Sequence, residues 1–138
     1  MDNEEIKQKL LQIENTDLDF TVTMTGKESS RVNGLYKPET HEILLHNKNF
    51  KSDMQLIYTA IHEYTHHLIT EEFLAETGGK LPMKGNRVHT AAFWARFHSL
   101  LQKAEELGIY KISIDESPEL KELTEKIRKE YMEVNGKL

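Results

Sequence analysis

The polar and apolar positions of this chain follow two periods, one helical and one extended. Asn3 is placed to cap a first helix reaching about Ile13, with Ile6, Leu10 and Ile13 on one stripe. From Leu18 to Thr25 the pattern alternates: Leu18, Phe20, Val22 and Met24 against Asp19, Thr21, Thr23 and Thr25. That predicts a strand with one buried face. Gly26 to Ser30 reads as a turn. Arg31 to Tyr36 reads as a second strand, weakened by Asn33-Gly34. Lys37 to Thr40 turns the chain into a third strand, Glu42 to His46.

Ser52 with Gln55 makes a capping box before a long helix-periodic segment. The predicted helix runs from Asp53 to about Thr77, with Leu56, Ile57, Ala60, Ile61, Tyr64, Leu68 and Ile69 on its apolar side. Gly78-Gly79 ends it. A loop from Lys80 to Asn86 leads to a helix over about Val88 to Leu107. Ala92, Phe93, Phe97, Leu100, Leu101 and Ala104 are expected to face inward there. Gly108 stops it. Ile109 to Ile114 reads as a short edge strand. Ser117-Pro118 opens a last helix, striped by Leu120, Leu123, Ile127, Tyr131 and Val134. Helix, small sheet, then helices without a repeating alternation is an α+β order, with the sheet packed on the long helix.

With 138 residues the chain is read as one domain, residues 1–138, with one core. Cysteine is absent, which excludes disulfides, zinc ribbons and thiolate sites. The acidic start, Met1-Asp2-Asn3-Glu4-Glu5, has no apolar signal core, and no apolar run approaches the length of a membrane span. A cytoplasmic setting is expected. The net charge of −5 argues against broad binding to nucleic acid or anionic membrane. Lys80, Lys84 and Arg87 are read as solvated loop cations.

The candidate chemistry lies inside the long helix, where His62-Glu63-Tyr64-Thr65-His66 reads H-E-x-x-H. Residues four apart share one helix face, about one turn along the axis, so two imidazoles can grip one ion. The glutamate beside the first histidine can reach a water on that ion. Seven histidines and eighteen glutamates would give the pattern by shuffling in about one chain in twenty, so context must add to it.

A catalytic zinc site needs a third protein ligand. His67 follows His66 directly and points about 100° away, which reads as a surface residue or one that supports the site from behind. His89 is the preferred third ligand, because it begins a helix after a glycine-bounded loop, just before Phe93-Trp94. His98, nine residues on, is turned by about 900° and faces the opposite way. Glu71, Glu72 and Glu76 share the motif helix and cannot curl back to the ion. Glu105 and Glu106 sit at an exposed helix end.

His62 to His66 followed by His89-Thr90-Ala91-Ala92-Phe93-Trp94 resembles the SprT-like metalloproteases and the related YgjP-like metal-dependent hydrolases. There H-E-x-x-H is followed by a third histidine and then an aromatic residue four positions on, often as H-x-x-x-F-W. The resemblance covers roughly residues 33–97. It departs in two ways: the gap from His66 to His89 is long, and the cysteine ribbon of many SprT-like proteins is missing. It implies a zincin-like core, with a small mixed sheet on the motif helix and a second helix supplying the third ligand. It also implies hydrolysis of peptide bonds. Gly34-Leu35-Tyr36 through His66 is similar, more weakly, to the ImmA/IrrE peptidases, whose third ligand is acidic.

The expected function is therefore a zinc metalloendopeptidase, with Zn²⁺ on His62, His66 and His89. Glu63 would take a proton from the attacking water and hand it to the leaving amine. An extended protein or peptide substrate is expected to pair with a sheet edge, placed at Glu42 to His46. The alternative is a metal-stabilised binding or regulatory module without turnover, with the last helix as a docking face. A glutamate kept beside both histidines favours the enzyme.

Overall fold

The computed structural model describes residues 1–78, 89–111 and 126. The loop at 80–86, the three cations Lys80, Lys84 and Arg87, residues 112–114 of the expected edge strand, and the stripe of the last helix lie outside the described residues. Within them the order is α1 (Asn3–Ile13), β1 (Thr21–Met24), β2 (Gly34–Lys37), β3 (Glu42–Leu45), a 3-10 turn (Asn47–Asn49), α2 (Asp53–Thr77) and α3 (Ala91–Glu106). This is a mixed α+β arrangement. No helix among the described residues is long and apolar enough to cross a membrane.

α1 is capped by Asp2 rather than Asn3: the Asp2 carboxylate accepts from the Glu5 N–H at 2.8 Å. Asn3 is the first helical residue, and its side-chain oxygen accepts from Met24 N–H at the end of β1. Both residues are competent caps, and the tie to β1 decides between them. Ile6, Leu10 and Ile13 are fully buried, as their stripe predicts.

β1 is shorter than its alternation suggests. Residues 17–18 are diverted from the ladder by side chains: the Glu71 carboxylate accepts from the Asp17 and Leu18 N–H groups, and the Leu18 carbonyl accepts from His67. Phe20 and Val22 still point into the core. The second strand begins at Gly34, not Arg31. The Asn49 side-chain amide donates to the carbonyls of Ser29 and Val32 and to the Asn33 side chain, which pins residues 29–33 as a loop.

The sheet order is β1-β3-β2, with β1 parallel and β2 antiparallel to β3. The central strand is therefore β3, and Glu42 to Leu45 cannot be the exposed edge expected for it. Alternation reveals which face of a strand is buried but not which strand has two neighbours. β2 is an edge. Its register sets Leu35 opposite Leu44, and the His46 N–H donates to the Asn33 carbonyl. In that antiparallel ladder Asn33, Leu35 and Lys37 turn their backbone groups toward β3, and Gly34 and Tyr36 turn theirs outward.

α2 is the centre of the fold. Ser52 caps it through Gln55 N–H, and Gly78 closes it in the left-handed conformation at φ 72°. β2, β3, α1 and α3 all pack against it. That enclosure explains why Thr59, Glu63, Thr65, His67 and Thr70 are buried beside the apolar residues of the same helix. α3 begins at Ala91 because the Thr90 hydroxyl caps it, accepting from Phe93 N–H at 3.2 Å. Phe93, Phe97, Leu100, Leu101 and Ala104 are buried as expected; Ala92 is exposed. After Gly108 the N–H groups of Ile109 and Tyr110 donate to the Ala104 carbonyl, so both residues tuck under α3 instead of joining the sheet.

Candidate metal centre

Two helices build the site. α2 carries His62 and His66 on one face. His89 lies just before the cap of α3, outside the helix, and its ring reaches across to α2. The Nε2 atom of His89 is 3.2 Å from Nε2 of His62 and 3.2 Å from Nε2 of His66. Among the described residues these three form the one group of histidines and carboxylates arranged to hold an ion.

Hydrogen bonds within the trio account for the arrangement less well than a shared ion. A neutral imidazole Nε2 carries either one proton or one lone pair. His89 can therefore make one well-directed hydrogen bond, or share its one proton weakly between both neighbours. A single cation between the three lone pairs satisfies all of them. With zinc–nitrogen bonds of about 2.0–2.1 Å, the edge of a tetrahedron is about 3.3–3.4 Å, close to the separations found. Three imidazole nitrogens are a donor set that fits zinc, among other transition metals.

Burial keeps the histidines ready for metal. It pushes His62 down to about 4, with a smaller contribution from His89. It pushes His66 down to about 3, helped by His62 and His89. His89, the most exposed of the three, is lowered as well. Burial thus favours the neutral form of all three rings, the form in which an imidazole can bind a metal.

Glu63 is 6% exposed, and burial raises its carboxyl to about 8. Its side chain packs beneath the start of β2. A Cβ added to Gly34 would stand 3.3 Å from the Glu63 Cγ. Among the described residues no cation faces this carboxyl and none donates to it.

His67 is not a surface residue. It is fully buried, with Nε2 bonded to the Leu18 carbonyl at 2.8 Å and Nδ1 to the Tyr36 hydroxyl at 2.8 Å. Both ring nitrogens are used on the side of α2 facing the sheet, away from the trio. The sequence held one clue to this: alternation along β2 sets Tyr36 on the same face as Gly34. Tyr64 is also core, and its hydroxyl donates to the Glu14 carbonyl. The rival carboxylates are engaged elsewhere. Glu71 holds Thr16, Asp17 and Leu18, and Glu72 pairs with Arg96, which also grips Glu14. Glu76 and Glu106 are exposed, and His98 is on α3 outside the trio.

A scan against protein-family models finds no family that matches, and searches of curated proteins and of solved structures find no match.

Proposed function

We propose that this chain is a zinc-dependent metallopeptidase with a zincin-like core, related in its motif to the SprT-like and YgjP-like proteins. The observation that carries the reading is the convergence of the His62, His66 and His89 Nε2 atoms beside a buried Glu63. A zinc ion held by these nitrogens supplies a Lewis acid for the scissile carbonyl and acidifies water.

The remaining chemistry belongs to the chain. Glu63 takes a proton from water as the water oxygen attacks the scissile carbonyl carbon, then delivers that proton to the leaving amine nitrogen. Burial raises this carboxyl in the metal-free fold, and a cation on the three nitrogens would favour its ionised form, the form a general base needs. β2 offers the substrate edge. Its outward N–H and C=O groups, from Gly34 and Tyr36, can take an extended peptide as one more strand. Gly34 lies against Glu63, so a peptide paired there passes close to the base.

The test is metal analysis of the purified chain, followed by peptide-library hydrolysis by wild type and Glu63→Gln at equal zinc loading. One zinc per chain and a loss of about 10²–10⁴-fold in the variant are expected. Equal turnover would remove Glu63 from the mechanism. Zinc uptake with no turnover by either protein would leave a metal-stabilised binding module.

A further inference from the structure

Metal-binding histidines are ordinarily oriented by a hydrogen bond from the second ring nitrogen to a carboxylate, carbonyl or water. Among the described residues, no protein group bonds the Nδ1 of His62, His66 or His89. What surrounds the trio is aromatic. Phe93 is fully buried and touches all three rings. Its centroid is 4.4 Å from that of His66, nearly stacked at 27°. It is 5.0 Å from His62 at 68°, and 4.9 Å from His89 at 80°. Trp94 lies face to face with His89 at 5.6 Å and 25°.

We infer that Phe93 is the positioning residue of the trio, a flat clamp that fixes the three imidazole planes where hydrogen bonds ordinarily would. This rests on the metal reading above. One ring meets its three neighbours stacked on one side and edge-on at the others. Rotating any histidine about χ2 would therefore drive it into Phe93 or open a void against it. Phe93 is itself braced by Phe97 at 6.1 Å and Trp94 at 5.1 Å. Its position four residues after His89 is what lets the start of α3 carry both ligand and clamp. The arrangement leaves the site with an apolar wall, which agrees with the neutrality of its histidines.

The test compares Phe93→Leu with Phe20→Leu. Phe20 is as deeply buried but touches Tyr64 and His67, not the trio. Zinc affinity is measured by chelator competition, and ligand geometry by the visible absorption bands of the cobalt-substituted protein. Thermal melting of each apo variant records the structural cost. Phe93→Leu is expected to lose about 10–100-fold in zinc affinity, the usual range for groups that orient ligands, and to show altered cobalt bands. Phe20→Leu should keep wild-type affinity and bands despite its own loss of stability. Phe93→Met, closer in volume, serves if the leucine variant does not fold; it should lose affinity in the same way, because it lacks the flat ring. Wild-type affinity and bands in the Phe93 variant, or equal losses in the Phe93 and Phe20 variants, would overturn the clamp. A wild-type chain that takes up neither zinc nor cobalt would overturn the metal reading itself, and the clamp with it.

Discussion

Gly34 faces Glu63 across the interface between β2 and α2, and the Glu63 side chain has its room there because Gly34 has no side chain. A Cβ there would lie 3.3 Å from the Glu63 Cγ, 3.0 Å from the Thr59 Cγ2 and 3.0 Å from the Leu44 carbonyl oxygen. The last of these is backbone of the central strand and cannot swing aside. Gly34→Ala is therefore expected to push β2 off α2. Overpacking of this kind costs about 1–3 kcal/mol, and the displacement should disturb the base and the substrate edge together. Denaturant melts should show that loss, with peptide hydrolysis falling further than stability alone explains. An alanine variant with wild-type midpoint and turnover would show that β2 does not press on Glu63.

His67 and His89 should respond to alanine in opposite ways. His67 joins the chain before β1 to β2 through two hydrogen bonds inside the core. Its removal leaves a cavity where a fully buried ring stood and takes one partner from the Tyr36 hydroxyl and one from the Leu18 carbonyl, which keep Thr70 and Thr16, so lost packing adds to two lost hydrogen bonds of about 1 kcal/mol each. His67→Ala should therefore lose several kcal/mol in chemical denaturation, yet still bind one zinc. His89 is exposed and sits ahead of its helix. His89→Ala should keep nearly all of the apo stability and lose high-affinity zinc. If metal content follows His67 instead, the ligand assignment is wrong.

The two histidines also mark what the sequence revealed and what it did not. Spacing along one helix set His62 and His66 on one face, because the turn of a helix is a local rule. The Phe93-Trp94 pair pointed to His89, because bulky residues anchor the start of α3. The place of His67 depended on which strand lies over α2, and that is a long-range fact. The order β1-β3-β2 was hidden for the same reason: Leu18 to Thr25 and Glu42 to His46 both alternate, but the pattern does not say that β3 is shared. The strand ends were hidden by side chains competing for backbone. Glu71 holds residues 17–18 and Asn49 holds residues 29–33, from 53 and 16 positions away at the nearest.

Removing the metal should not unfold this chain. Ile6, Leu10, Ile13, Phe20, Ile43, Leu45, Ile57, Ile61 and Phe97 are almost wholly buried in a core that does not pass through the three nitrogens. Zinc present at about a thousand times its dissociation constant would add about 4 kcal/mol by mass action. The chelated protein should thus melt cooperatively at a lower temperature. A featureless melt after chelation, as in small zinc-dependent folds, would mean that the ion organises the core.

Without metal, Glu63 should make the stability of the chain fall as pH rises. Its carboxyl titrates near 4.5 when exposed and near 8 when buried in the fold. Below 4.5 both states carry the proton, and burial of the neutral acid costs little. Between 4.5 and 8 the unfolded chain releases its proton while the folded chain holds on to it, so this group's contribution declines with each unit of pH. Above 8 both states are ionised, and the full cost of a buried carboxylate remains. Glu63→Gln resembles the protonated acid at every pH. The two chelated proteins should therefore be about equally stable near pH 4.5. The variant should gain on wild type as pH rises to 8, by up to a few kcal/mol, and hold that lead above it. His62 and His66, lowered by burial, destabilise both proteins as pH falls below 6.5 and cancel in the difference. Chelation matters because a bound cation would favour the carboxylate and shrink the effect. The measurement is the denaturant midpoint of each protein across this pH range. Parallel curves, with no divergence between pH 4.5 and 8, would show that the Glu63 carboxyl is solvated in the fold.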